Sequence, residues 1–528
     1  MPAGGLRKSA AVAAFAALIV VTIWLLDRFA RREFVAHLSD QSAYALALAA
    51  SGGTPYAWRF HTSDDLVAGH PFGTSEFSFA DGGLRLPATD ATVEVGLPLS
   101  RAVDLRSFPL LRVELDAQDS GSFRIVLRET LDSAERVSAP VAFAPGEYRA
   151  ALDVRAVAWD SAEADAPASA AMLRIRREPR AAVLLRNVLL QRPLDYAPLN
   201  IAIAPPLLDA AAPAAPSDSA VYRLPFAPAQ QQVDIAAIAA KWKPPQPPLI
   251  LLPQRGRVEQ QIALRNAVYA ALPAAILIPE GAYEETFAAA RDYAGSRLRP
   301  GAPGTDWWVV AAFGAVLLLA RWRPPREARL RALLEIGLTL AAPMWLVVSG
   351  RIDGGSLHAP QTVLIGFSLI YAVSLSLHPS WRLNGSAAAW TAAAAVVGGA
   401  VLIGLAARGP GVGSAGALVL RHFGLYLGWA LLQQFLVCAI CTERWQAATG
   451  SRYAAAYLGA LCFALLHTPN ATLMLATFVG GLCWCGIWLR YRALLPLALS
   501  HAASALALAA LLPADVLHSA EVSVRFFQ

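Results

Sequence analysis

The segment "WALLQQFLVCAICTERW" (residues 429–445) carries two neighbouring amides, Gln433 and Gln434, inside an apolar run long enough to cross a bilayer. An amide without a partner in hydrocarbon costs about 2–7 kcal/mol, and the bilayer core holds no water to relieve it. Polar side chains at that depth are therefore functional candidates. Later apolar stretches add His467, His501 and Ser504. Helical spacing gives each a face: Gln434, Cys438 and Cys441 at i, i+4, i+7; Phe463 and His467 at i, i+4; His501 and Ser504 at i, i+3. Cys438 with His467 has the elements of a Cys–His nucleophile pair. His467 and His501 alone are too few ligands for zinc, so no metal is expected, and no cofactor. Glu335 opens another apolar span and is a candidate to join the group. Glu443 lies about two and a half turns past Gln434, roughly 13 Å of rise, which puts it at the membrane surface beside Arg444 and too far away to act in the glutamine's place.

These residues need a membrane bundle to position them, and the composition supplies one. The chain has 528 residues and is 56% hydrophobic. From about 306 to 512 the apolar residues form repeated blocks with few charges, the mark of transmembrane helices. The net charge of +6 does not indicate nucleic acid, because the basic residues are scattered arginines that flank apolar blocks. Abundant Ala and Arg with little Lys points to a bacterial source. All five cysteines (438, 441, 462, 483 and 485) fall in the membrane region, so the remainder folds without disulfides. C-A-I-C and C-W-C have metal-like spacing but read as small apolar filler in a helix.

Residues 1–35 hold an apolar run without a small-residue cleavage site, and read as an uncleaved anchor helix. The span at 306–320 is followed by Arg321, Arg323, Arg326, Arg329 and Arg331, a cytoplasmic signature. Residues 40–300 are then extracytoplasmic and the N-terminus cytoplasmic, in a bacterial inner (cytoplasmic) membrane. Further spans are expected near 332–349, 361–378, 386–407, 416–441, 453–467, 471–489 and 493–512, making 306–512 an eight-helix membrane domain with a tail at 513–528.

Between the anchor and the bundle, residues 58–193 alternate with period two, within an expected sandwich domain at 40–194. "FSFADGGLRL" sets Phe77 and Phe79 on one face, turns at Asp81-Gly82-Gly83 and returns with Leu84 and Leu86. "LLRVELDA" and "SFRIVLRE" turn Leu111, Val113, Leu115 and Phe123, Ile125, Leu127 inward. Many such short strands mean an all-β sandwich. The order of strands resembles galactose-binding-like jelly rolls of carbohydrate-binding modules. That resemblance implies an envelope glycan as ligand, with Trp58, Phe60 and Trp159 as candidate stacking platforms, although core or rim positions suit them better. Residues 195–217 are rich in Pro and Ala and read as a linker. Residues 218–300 form a small α/β segment with a β-α-β-α pattern and no Gly-rich phosphate loop; Glu280, Glu284 and Glu285 cap its last helix.

"FALLHTPN" (463–470) and "FVGGLCWCGIWLRYRALLPLALSH" (478–501) resemble the CPBP family, the CAAX-protease and bacteriocin-processing (Abi) group of intramembrane glutamic endopeptidases. The likeness is close over the last helices and covers the region 416–512 more loosely. It implies three signatures: Glu-Glu-x-x-x-Arg on one helix, Phe-x-x-x-His on the next, and a final His with Asn four residues on. Phe463 and His467 match the second. His501 matches the third, with Ala505 in place of Asn. At the first stand Gln433, Gln434 and Cys438. The resemblance assigns water activation to a glutamate and oxyanion stabilisation to the histidines. A neutral amide has no useful basicity, and loss of a general base typically costs about 10²–10⁴-fold in rate. The catalytic positions of the family are thus Gln433, Gln434, His467 and His501, supported by Phe463, Cys438 and Ser504. Chemistry favours a degenerate protease that keeps the cavity and binds a membrane protein or lipid-linked substrate. The alternatives are a protease with a variant site, and an envelope glycan-binding protein acting through its sandwich.

Overall fold

The computed structural model describes residues 3–160, 166–178, 182–209, 221–225, 228–295, 307–348, 359–376, 381–408, 423–513, 516–517, 521–523 and 526. The chain divides into two compact units. One comprises residues 1–34, 256–262 and 300–528; the other comprises 35–255 and 263–299.

In the second unit, two antiparallel sheets form the sandwich. One orders Gly146–Asp153, Leu110–Ala117, Val183–Gln191, Gly83–Leu86 and Ser78–Ala80, with Ala57–Trp58 also on Val183–Gln191. The other orders Val93–Leu97, Met172–Arg177, Gly121–Arg128 and Arg136–Val137, with Val141–Phe143 also on Gly121–Arg128. Alternation decides the faces: Leu111, Val113, Leu115, Phe123, Ile125 and Leu127 share one core, while Arg112, Glu114, Arg124 and Asp116 point outward into ion pairs. Ala80 pairs with Gly83 across a two-residue turn. Asp81 and Gly82 both adopt positive φ there (54° and 75°), as a type I′ hairpin requires.

Trp58 and Phe60 are buried in this core and Trp159 packs against it. Stacking of Trp58 or Phe60 on a sugar is therefore excluded by burial. Trp159 donates its Nε1–H to Val154 O at 3.2 Å.

A second layer in the same unit is a parallel sheet ordered Leu207–Asp209, Val221–Arg223, Leu249–Leu252 and Ile276–Pro279. Helices α2 (Pro228–Lys241), α3 (Val258–Ala271) and α4 (Tyr283–Gly295) accompany it. Two expectations change here. Residues 207–209, inside the expected linker, are a strand pairing with Val221–Arg223; three residues flanked by Pro and Ala carry too little period-two signal to be seen. The N-terminal helix α1 runs from Ala3 to Ser51 rather than ending near residue 35. Its Ala43, Leu46 and Ala49 pack on Val221, Leu249, Leu251 and Ile278, so residues 40–51 belong to the α/β layer and not to the sandwich.

The other unit is helical. It contains α5 (Trp307–Trp322), α6 (Ala328–Val348), α7 (Ala359–Leu375) and α8 (Ala387–Ala406). After these come α9 (Phe423–Thr449), α10 (Arg452–Leu465), α11 (Ala471–Tyr491) and α12 (Leu494–Leu511). Among the described residues six helices are long and apolar enough to cross a membrane: α1, α6, α8, α9, α11 and α12. Helices α5, α7 and α10 are shorter apolar segments. Trp308, Leu318, Ile370, Leu402 and Leu425 are exposed on them, as lipid-facing residues should be. The chain is therefore a multi-pass membrane protein. The first residues of the expected span 416–441, with Arg421 and His422, lie outside the described residues.

Leu111 is fully buried, so Leu111→Ala should destabilise the sandwich by about 2–5 kcal/mol. A denaturant titration followed by near-UV circular dichroism measures this; a loss below about 1 kcal/mol would contradict the packing described.

Candidate functional site

Helix α9 changes pitch at the two glutamines. Phe423–Gln434 is α-helical, Phe435–Thr442 is a π-helix, and Glu443–Thr449 is α-helical again. Thr442 follows the wider turn, its Oγ1 donating to Val437 O, five residues back, at 2.8 Å. Single π turns are rare and concentrate at functional sites. The change of register separates residues that a regular helix would align. Cys438 stays beside Gln434, donating its thiol to Gln434 Oε1 at 3.1 Å. Cys441 turns away and packs with Ile336 and Leu340.

The wide turn is matched by close packing. Cys485 Sγ lies 3.2 Å from Thr442 Oγ1, and a Cβ on Gly459 would collide with that hydroxyl and crowd the sulfur. Small residues let helices approach within a bilayer; Gly481 against Ala460 does the same between α10 and α11.

His467 is not inside a helix. It sits in the turn after α10, its backbone N–H donating to Ala464 O at 2.9 Å. Its Nδ1 lies 2.8 Å from Phe463 O, and a carbonyl only accepts, so Nδ1 carries the proton and the neutral ring keeps a lone pair on Nε2. This bond gives the Phe-x-x-x-His spacing its physical meaning: the backbone of one residue fixes the tautomer of the other. The Phe463 ring also touches both imidazoles edge-on, 4.9 Å from His467 and 5.5 Å from His501 between centroids.

His501, on α12, is held by three neighbours. Trp484 packs at 4.8 Å on one side. The Trp484 Nε1–H donates to Ser500 Oγ at 3.1 Å, and Ser500 in turn donates to Ala393 O at 2.9 Å. The third neighbour is Gln434, fully buried, with Nε2 3.3 Å from His501 Nδ1. An amide nitrogen only donates, so His501 Nδ1 accepts and the ring proton resides on Nε2. The site thus presents an N–H on His501 and a lone pair on His467. Ser504 is buried next to His501, and its hydroxyl has no partner among the described residues.

The expected residues are therefore mostly brought together: Gln434, Cys438, Phe463, His467, His501 and Ser504. Gln433 is not. It is half-buried, and its side chain makes no hydrogen bond among the described residues. Cys438 bonds to Gln434 and neighbours Cys485, so the Cys438–His467 pairing does not form. Glu335 does not join the group either; it pairs with Arg444 at 2.8 Å. Glu443 pairs with Arg492 at 2.8 Å and accepts from Trp488 Nε1. No group of three or more His, Cys, Asp or Glu side chains suited to a metal occurs among the described residues.

Two residues were missed in sequence. Trp484 lay inside C-W-C, read there as filler; its place one helix before His501 was the available signal. Glu259, at the start of α3, is buried and accepts from Thr472 N (2.9 Å) and Thr472 Oγ1 (2.6 Å). A carboxylate there complements the positive N-terminal end of α11, beside the Asn470 side chain that accepts from Leu473 N. The tail closes the same turn: Ser523 N–H donates to Thr468 O at 2.8 Å, and Val516 O lies 2.7 Å from Thr472 Oγ1.

Residues 417–507 match the family model described as type II CAAX prenyl endopeptidase Rce1-like. No curated protein matches the chain.

The proton on His501 tests the network. Nitrogen-15 NMR of the imidazoles, with the protein in nanodiscs, should show the Nε2–H form in the wild type. In Gln434→Glu an ionised carboxylate accepts instead, and the proton should move to Nδ1. A wild-type Nδ1–H form would overturn the arrangement.

Proposed function

Taking the Rce1-like CAAX protease domain at residues 417–507 as premise, we propose that its site binds a membrane protein or lipid-linked ligand without cleaving it. The observation that carries this reading is the bond from Gln434 to His501. Where a carboxylate would take a proton from water, an amide only donates a hydrogen bond to the imidazole. The carboxylates of α6 and α9 are engaged elsewhere, Glu335 with Arg444 and Glu443 with Arg492. An N–H on His501, a lone pair on His467 and the Ser504 hydroxyl suit a neutral polar group that both accepts and donates, such as an amide or a hydroxyl.

The protein sits, in this reading, in a bacterial cytoplasmic membrane. Its N-terminus and the arginines from Arg321 to Arg331 are cytoplasmic, and residues 40–300 are outside, following the distribution of positive charge.

Proteolysis by a variant site is the second reading, and one observation favours it: the lone pair of His467 Nε2 is a base in principle. Among the described residues it has no carboxylate partner to hold the imidazolium it would form; its Nδ1 is bonded to the neutral carbonyl of Phe463. Paired general bases of this kind rely on an orienting, charge-balancing group.

An internally quenched prenylated peptide offered to the protein in nanodiscs should show no turnover above the His467→Ala variant. Robust wild-type cleavage that His467→Ala abolishes would sink the binding reading. Photo-cross-linking of membrane partners should be strong in the wild type and fall at least about tenfold in His467→Ala, a loss of roughly 1.4 kcal/mol of affinity. Equal capture by both proteins would show that the site is not where the partner binds.

A further inference from the structure

The turn that carries His467 is polar and yet dry: His467, Thr468, Pro469 and Asn470 are all buried. Helix α10, which leads into it, has 14 residues. At 1.5 Å per residue that is roughly 21 Å, short of the about 30 Å of a hydrocarbon core. The turn therefore lies below the membrane surface, where irregular backbone must be buried in protein or line a water-filled cavity. Two segments of the same compact unit cover it. One is the start of α3, through Glu259. The other is the chain that follows α12, of which residues 516–517, 521–523 and 526 are described.

This second cover is tied down at several points. Ser523 N–H donates to Thr468 O at 2.8 Å. Asn470 Nδ2 donates to Glu521 O at 3.2 Å. Phe526 is fully buried. The closed arrangement also carries faults. Ser523 sits at a φ of 60°, a left-handed conformation that strains a residue with a Cβ. Its Oγ and Glu259 Oε2 are buried without a hydrogen-bond partner among the described residues, so each forgoes the water it would have in the open. Thr472 Oγ1 stands 2.6 Å from Glu259 Oε1 and 2.7 Å from Val516 O. A carboxylate oxygen and a carbonyl both accept, and a hydroxyl has one proton. One of those two contacts therefore lacks its hydrogen.

We propose that the segment of Val516, Glu521, Ser523 and Phe526 is a strap that closes over the His467 turn and controls access to His467 from the aqueous phase. Strain and unpaired groups in the closed state offset the bonds that hold it, and water relieves them when the strap lifts. Opening of such a segment costs less than unfolding of the helices beneath it. A ligand that needs the open state shifts the balance by its own affinity for that state. The bond from Gln434 to His501 joins α9 to α12 and can persist while the strap lifts. A role in ligand entry rests on the reading of His467 as part of a ligand site; the closure itself does not.

The full chain in nanodiscs is treated with diethyl pyrocarbonate, a small reagent that acylates accessible neutral imidazoles, and each histidine is followed by peptide mass spectrometry. Ser523→Pro removes the N–H that binds Thr468 O and cannot adopt a φ of 60°. Modification of His467 should be at least about fivefold faster in Ser523→Pro than in the wild type, as local opening requires. His61, exposed in the other unit, should react equally in both. Equal rates at His467 overturn the strap. Should the variant not fold, hydrogen exchange of the wild type is the second readout. The Asn470 and Ser523 amides should exchange at one common rate, at least about tenfold faster than the Cys485 amide within α11. Exchange of Asn470 at the rate of Cys485 overturns the proposal. No ligand enters either measurement, so equal photo-cross-linking by wild type and His467→Ala would defeat the binding reading and leave the strap standing.

Discussion

The hydrogen bond between Gln434 and His501 governs the helical unit, because hydrocarbon leaves a polar group no other recourse than a partner on a neighbouring helix. Gln434 is fully buried and spends both ends of its amide, accepting from Cys438 and donating to His501. His501 is then confined by Trp484 and Phe463, and Trp484 is tied through Ser500 to Ala393 on α8. One amide thereby links α9 to α12, and through the aromatic contacts to α10, α11 and α8. The π turn after Gln434 is part of the same arrangement: it keeps Cys438 at the amide and sends Cys441 to another contact.

An amide has almost the shape of a carboxylate but none of its charge. A buried carboxylate needs a cation or several donors nearby, and in the family that this region resembles an arginine stands where Cys438 is found. With amides at 433 and 434, a cation there would itself be unpaired, and the thiol is a neutral replacement that fits the small space. The carboxylates of α6 and α9 lie in ion pairs, Glu335 with Arg444 and Glu443 with Arg492. The result is a site whose polarity comes from N–H, O–H and lone pairs rather than from a carboxylate.

The other unit meets its polar groups in a different way. Its outward strand faces carry carboxylate–arginine pairs that water also screens, each of small net value. Its interior holds arginines stacked on aromatic rings.

Much of this was legible in the chain. Period-two alternation foretold that Leu111, Val113, Leu115 and Phe123, Ile125, Leu127 face one core, because a pleated strand leaves no other choice. Apolar blocks located the membrane helices, and the spacing of Gln434, Phe463, His467 and His501 marked the residues that meet. Sequence could not decide what depends on pairing at a distance. The strand at Leu207–Asp209 exists only through its parallel neighbour, and the last turns of α1 are set by the sheet they cover. Helical spacing put Cys441 on the Gln434 face, but the π turn, supported by Gly459 and Cys485 from other helices, removed it. The sequence by itself determined which polar groups enter the bilayer. Only the tertiary structure decided which atom of each imidazole carries the proton, since that follows from which carbonyl or amide lies within reach.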